Sequence, residues 1–169
     1  YTGVLKIFKV LLSYEYLWNL IRVQGGAYGA MAVFTRYGAG FTSFRDPNIS
    51  ATDKVYQGIA DYAASYEADE REMTKSVIGA ISTLDTPLSP SQEGSRALLA
   101  YLTGYTFEDV QRERNQILEA DAKDIRALAP MLKAVLSENA VCAIVNESQL
   151  KTEDISFDKV ELLYSTGEV

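Results

Sequence analysis

The sequence contains no histidine. That absence removes Ser-His-Asp and Cys-His nucleophile pairs, histidine acid–base chemistry and histidine-ligated zinc. Cysteine occurs once, at Cys142, so no internal disulfide can form, a usage that fits a reducing compartment. Cys142 lies in the apolar run Ala140-Val-Cys-Ala-Ile-Val145. With nothing nearby to lower its pKa, it reads as a buried structural thiol rather than a nucleophile. Positive charge is also scarce: 16 Lys and Arg stand against 23 Asp and Glu, a net charge of -7. The cations are scattered, so neither nucleic acid nor an anionic membrane finds the clustered bases it needs. Calcium-loop, phosphate-loop and Cys-x-x-Cys spacings are lacking as well. The chain starts at Tyr1 with neither a methionine nor signal-peptide features, and reads as a segment excised from a longer protein.

What remains is ordinary in amount and uneven in distribution. A chain of 169 residues, 47% hydrophobic and 23% charged, has the length and composition of one globular domain with a real core. Val4 to Ile21 is nearly continuous in apolar residues, long enough to raise the question of a membrane span. Lys6, Lys9 and Ser13 recur at helical spacing, however, and Glu15 and Asn19 interrupt the run, as expected of a core helix buried on most sides. Tyr28–Arg36 and Phe41–Arg45 read as the strands of an antiparallel hairpin around a turn at Tyr37-Gly-Ala-Gly40. Phe41, Ser43 and Arg45 face one way in this reading, Thr42 and Phe44 the other. Gly38 and Gly40 lack the third glycine and following helix of a dinucleotide site.

Downstream the punctuation is helical. Ser50-Ala-Thr-Asp53 resembles a capping box, opening a helix through Val55, Ile59, Tyr62 and Tyr66. Glu67, Asp69, Glu70 and Glu72 crowd the start of another helix, where carboxylates complement the dipole, and read as capping rather than a carboxylate metal site. Pro90 suits a first turn, and Gly104 ends that helix. Thr106-Phe-Glu-Asp109 caps the next, with Val110, Ile117 and Leu118 inward. Asp121-Ala-Lys-Asp124 opens a last one, through Ile125, Leu128, Leu132 and Val135, which Pro130 should kink or split. Ala140–Val145 is expected as a buried strand, Ser148–Thr152 as a helical turn and Val160–Tyr164 as a final strand. The class is α+β: a largely antiparallel sheet with helices on one face.

The stretch Arg22-Val-Gln-Gly-Gly-Ala-Tyr-Gly29 joins the apolar helix to the hairpin. Its glycines permit conformations closed to other residues, and between them stand one fixed cation, Arg22, and one phenol, Tyr28. A buried ion pair with a turn tyrosine would explain it structurally. Arg45 and Asp46 read as a salt-bridged strand end before Pro47, with a substrate contact as the alternative. Trp18 reads as core, as do many of the tyrosines.

Leu17-Trp-Asn-Leu-Ile-Arg22, Gln24-Gly-Gly-Ala-Tyr-Gly29 and Ser43-Phe-Arg-Asp-Pro-Asn48, followed by the helical layout of Thr106–Leu136, resemble the C-terminal part of pitrilysin/insulinase-type zinc metallopeptidases, in their presequence-protease branch. The resemblance spans roughly Tyr14 to Val145. It implies a partial C-terminal domain, residues 1–169, of a clamshell of two halves. The N-terminal half would carry an inverted His-x-x-Glu-His zinc motif with a further Glu ligand, so zinc is a cofactor of the parent enzyme, bound outside this chain. Arg22 and Tyr28 would be catalytic: the Tyr28 hydroxyl donates to the scissile carbonyl oxygen, and Arg22 holds a neighbouring substrate carbonyl. Gly25 and Gly26 would let backbone approach an extended peptide. No metal site is implied in this chain, which alone would be inactive. Phe44 departs from the family pattern, where a Tyr is expected.

The partners implied are peptide substrates and the zinc-binding half, with no nucleic acid and no membrane. The strands that should precede Val4 in a complete domain are lacking, so the sheet would have an unpaired edge inviting self-association. A bacterial cytoplasmic setting is expected, with an organellar one as the alternative. Two other readings stay open: a catalytically inactive structural or processing-partner subunit of the same superfamily, and a module that binds peptides by strand addition.

Overall fold

Apolar residues are so dense at the start of the chain that only a helix surrounded on most sides can bury them. The structure, a computed structural model, describes residues 1–162 and shows that arrangement. α1 (Val4–Leu11) buries Val4, Leu5, Ile7, Phe8 and Leu11, while Lys9 stays in solvent. It runs on into a π-helical segment, Leu12–Gln24, which buries Leu12, Leu17 and Ile21. No helix among the described residues is long and apolar enough to cross a membrane. The expected helix is therefore present and longer than its apolar pattern. The widened i→i+5 winding of its second half is rare and tends to occur near functional sites.

The antiparallel hairpin follows as β1 (Gly29–Thr35) and β2 (Gly38–Phe44). Gly29 pairs with Phe44 and Thr35 with Gly38, so the turn is only Arg36-Tyr37, shorter than the glycines suggested. Thr35 sets it by accepting from the Tyr37 amide at 3.2 Å and donating to the Gly38 carbonyl at 3.1 Å. The inner face carries Ala30, Ala32, Phe34 and Phe41 against the core, with Phe34 6.0 Å from Phe8 between ring centres. Met31, Val33, Thr42 and Phe44 face outward. This is α+β with a small antiparallel sheet.

The helices are α2 (Ile49–Gln57), α3 (Ile59–Ala64), α4 (Glu70–Leu84), α5 (Pro90–Thr103), α6 (Phe107–Leu118), α7 (Ala122–Ala127), α8 (Ala129–Ser137) and α9 (Glu147–Leu150). Asp69, Ser89, Thr106 and Asp121 each complete a reciprocal capping box. Pro90 sits in the first turn of α5, and Gly104 closes that helix at φ 65°. α7 and α8 are the two halves of the helix that Pro130 was expected to divide. α2 departs from expectation. Its start has no local side-chain cap. Instead, the Glu153 carboxylate accepts from the Ile49 amide, the Ser50 amide and the Ser50 hydroxyl at 2.9, 2.9 and 2.6 Å. Gly58 ends α2, so Val55 and Tyr62 lie on separate helices, held together by Tyr16, which donates to the Val55 carbonyl and stacks on Tyr62.

The last part of the chain corrects three expectations. Ala140–Val145 is irregular, and no strand pairs with it among the described residues. An apolar run becomes a strand only where another strand satisfies its amides. Cys142 is exposed with it rather than buried. Val160–Leu162 is irregular too, and the remainder of the proposed final strand lies outside the described residues. Two inward assignments also fail: Leu118 and Val135 are exposed, although Ile117, Ile125, Leu128 and Leu132 are buried. The Ser148–Thr152 turn is present as α9 and the bonds that close it.

Candidate functional site

The π-helix closes on the glycine pair. Gly26 adopts φ 81°, a left-handed conformation that suits glycine. Its amide donates to the Arg22 carbonyl and the Ala27 amide to the Ile21 carbonyl, each at 3.1 Å. Both bonds span one residue more than in the Schellman closure of an α-helix, as the wider helix requires. A side chain at Gly25 would place its Cβ 2.6 Å from the Ile21 carbonyl oxygen, so that position admits only glycine. Ala27 is then buried, and the Tyr28 amide donates to the Phe44 carbonyl at 3.0 Å. The turn thus couples the helix end directly to the open end of the hairpin.

Arg22 and Trp18 share a helix face four residues apart, and the guanidinium lies 3.9 Å from the indole centre. Trp18 is 41% exposed, which overturns its assignment to the core: it is a platform that extends Arg22 over the surface. Among the described residues Arg22 makes no ion pair, so the buried ion-pair explanation of this stretch does not hold. Tyr28 is 64% exposed. Its ring meets Phe44 edge-on at 5.9 Å, and its hydroxyl has no hydrogen-bond partner among the described residues. Phe44 therefore supports Tyr28 through its ring, which is what a phenylalanine at this position can supply.

Arg45 overturns a second expectation. It forms no salt bridge with Asp46, whose carboxylate accepts from the Asn48 amide at 2.9 Å and the Thr52 hydroxyl at 2.6 Å. The Arg45 guanidinium lies 5.8 Å from the Tyr28 ring and 5.5 Å from the Phe44 ring. Asn48 fastens this segment to the turn by donating to the Gly25 carbonyl at 2.8 Å. Gly25, Gly26, Tyr28, Phe44, Arg45 and Asn48 form one connected patch, with Arg22 and Trp18 on the helix end that leads into it. Arg45 and Trp18 were misassigned in the sequence, although the four-residue interval between Trp18 and Arg22 already permitted stacking.

The patch is open surface. Two concave regions among the described residues lie elsewhere: a cleft of about 750 Å³ lined by residues such as Arg36, Leu99, Tyr105 and Phe107, and one of about 780 Å³ between the starts of α4 and α7. The patch supplies hydrogen-bond donors and cations on aromatic supports, with neither a nucleophile nor a base. Histidine is absent from the sequence, and no three Cys, Asp or Glu among the described residues are placed to hold an ion.

Residues 2–147 match the family described as the PreP C-terminal domain. The chain is similar to Protein HypA of Clostridium perfringens, with 41% identity over 162 residues covering 95% of this chain and 17% of that protein. It is similar to the mitochondrial presequence protease of Aspergillus oryzae, with 35% identity over 166 residues covering 97% and 16%. It is also similar to presequence protease 1, chloroplastic/mitochondrial, of Arabidopsis thaliana, with 33% identity over 141 residues covering 82% and 13%. The chain therefore spans between 13% and 17% of the length of these curated relatives.

Proposed function

The chain belongs to the family of PreP C-terminal domains, in the presequence-protease branch of the pitrilysin/insulinase-type peptidases, and we propose that it is the metal-free, substrate-binding domain of a zinc-dependent endopeptidase that hydrolyses peptides. Residues 1–169 are one domain of a larger two-half protein, and the zinc site belongs to the other half. On its own this chain is inactive, having no histidine to hold zinc.

The observation that carries the reading is the patch itself. A phenol with a free hydroxyl and a stacked guanidinium stand at opposite ends of a glycine turn that lets a peptide backbone approach. As a scissile carbonyl becomes tetrahedral, negative charge grows on its oxygen. A positioned donor stabilises that charge strongly once the two halves close and exclude water. The Tyr28 hydroxyl is that donor, and Arg22, held on Trp18, grips a neighbouring peptide carbonyl. Gly25 and Gly26 keep side chains out of the path. Peptide substrates and the zinc-binding half are accordingly the partners. The compartment follows the parent protein and is not set by this domain.

The test uses the complete polypeptide. Tyr28→Phe lowers kcat by about 10²–10³, with zinc content and melting temperature unchanged. Arg22→Ala raises KM and lowers kcat together. Unaltered turnover in Tyr28→Phe with a good peptide removes the transition-state role. A loss in Arg22→Ala accompanied by a lower melting temperature and normal residual kinetics assigns that residue to folding instead.

One observation favours a second reading. Among the described residues β1 and β2 pair only with each other, so each presents an open edge suited to strand addition. Peptide binding by this chain that is unaffected by Tyr28→Phe and Arg22→Ala would support it. Concentration-dependent dimers would point to self-association at the same edge.

A further inference from the structure

The arginines of this chain are held in different ways. Arg36, Arg112 and Arg114 pair with carboxylates, and Arg126 donates to the Tyr66 carbonyl at 2.8 Å. Arg71 and Arg96 are exposed on helices, with neither an ion pair nor a ring beneath them among the described residues. Among the described residues, Arg22 and Arg45 alone lie on aromatic rings without a carboxylate partner, in a chain of net charge -7.

Arg45 is the more constrained of the two. Its φ is 49°, in the left-handed region that bulky side chains rarely enter. Such conformations persist only where the surroundings over-determine them, and they gather at ligand sites. Here the surroundings are a clamp on both sides. The preceding residue pairs across the sheet, Phe44 opposite Gly29. On the following side, the Asp46 carbonyl accepts from Gln149 at 2.8 Å, and the Asp46 carboxylate is occupied by Asn48 and Thr52. Asn48 in turn binds the Gly25 carbonyl. The backbone is thus fixed on both sides of Arg45, its guanidinium lies 5.8 and 5.5 Å from the Tyr28 and Phe44 ring centres, and the adjacent Asp46 carboxylate is taken by other partners.

We infer that Arg45 is a specificity-determining residue, which binds a carboxylate of the peptide on the Phe44 side of Tyr28. The inference rests on the peptide-binding reading of this patch. The carboxylate comes from an acidic side chain or from the peptide's C-terminus; a planar guanidinium suits both. Arg22 differs in role, because the carbonyl it grips occurs in every peptide, whereas the group that Arg45 takes is present in only some.

The experiment measures binding to the complete polypeptide, so that it does not depend on turnover. Fluorescent peptides carrying a single Glu at successive positions are compared with their Gln analogues, and free C-termini with C-terminal amides. Wild type binds the carboxylate form of one pair about five- to tenfold more tightly, and the pair that shows it identifies the source. Arg45→Gln brings that ratio close to one, and Arg45→Lys retains part of it. Arg45→Gly, which relaxes the backbone, loses the preference as well and guards against misfolding of the Gln variant. A preference that survives both the Gln and the Gly substitution, or no preference in any wild-type pair, overturns the inference. Tyr28→Phe slows Glu and Gln peptides equally, so failure of the catalytic reading leaves this ratio legible, and the converse.

Discussion

The two ends of the hairpin use the same residue types to opposite effect. At the turn end, Arg36 lies 4.2 Å over Tyr105, and Glu113 accepts from its Nε and Nη2 at 3.2 and 2.8 Å. Asp109 stands 3.7 Å away and Lys6 reaches Glu113 at 3.9 Å. Glu113 itself is buried. Every charge there has a partner within the chain, and the hydrogen bond to Glu113 raises the Arg36 pKa further. At the open end, Arg45 lies over Tyr28 and Phe44 with no carboxylate committed to it, and the Tyr28 hydroxyl is free. An arginine on an aromatic ring is thus no indicator of function by itself. The difference lies in whether the surrounding fold has already used the charge. Where it has, the group anchors structure; where it has not, the group is left for something outside the chain.

That contrast can be broken from either side. The largest effect is expected at the turn end. Glu113→Ala strips a buried acceptor from Arg36 and Lys6 at once and leaves space in the core. The melting temperature of the complete polypeptide should fall by several degrees, with faster amide exchange in the Arg36-Tyr37 turn. Arg45→Ala at the open end should leave the melting temperature unchanged. Equal losses at both ends would erase the distinction.

A smaller effect tests the platform. Trp18→Ala removes the support of Arg22 but no hydrogen bond, and an exposed cation–π contact is worth about 0.5–1 kcal/mol. kcat/KM should therefore fall about two- to fivefold, chiefly through KM. An unchanged KM would show that Arg22 needs no platform.

The smallest effect is local and depends on pH. The hydrogen bonds from Ser50 and Ile49 hold the Glu153 carboxyl below its ordinary value of 4.5. A depressed folded-state pKa contributes stability that is fully present above 4.5 and lost as pH falls through the folded value. Wild type should therefore melt slightly above Glu153→Gln at about pH 6, and the gap should close as the pH is taken progressively below 4.5. A constant gap would mean that the uncharged amide fails for steric reasons.

Legibility in the sequence followed the range of the interaction. The caps at Asp69, Thr106 and Asp121 were readable because each partner lies three residues away. The break at Pro130 and the stop at Gly104 are equally local. The cap of α2 was not readable, because Glu153 lies 104 residues from Ile49. Trp18 passed for core because its helix is buried on other faces. Arg45 passed for half of a salt bridge because Asp46 is its neighbour, but Asn48 and Thr52 had claimed that carboxylate. Cys142 and Ala140–Val145 were read as buried from hydrophobicity alone, which reports what a segment tolerates rather than what covers it.

The sequence by itself determined that this chain holds no histidine chemistry, that a glycine turn follows a buried helix, and which family the combination belongs to. Those conclusions depend on residue identity and on spacings of a few positions, which the covalent chain imposes directly. Only the tertiary structure decided which charges are spent. A carboxylate can neutralise an arginine beside it or one far along the chain, and the fold alone chooses between them. At Arg36 it supplied Glu113; at Arg22 and Arg45 it supplied aromatic rings, with no carboxylate partner among the described residues.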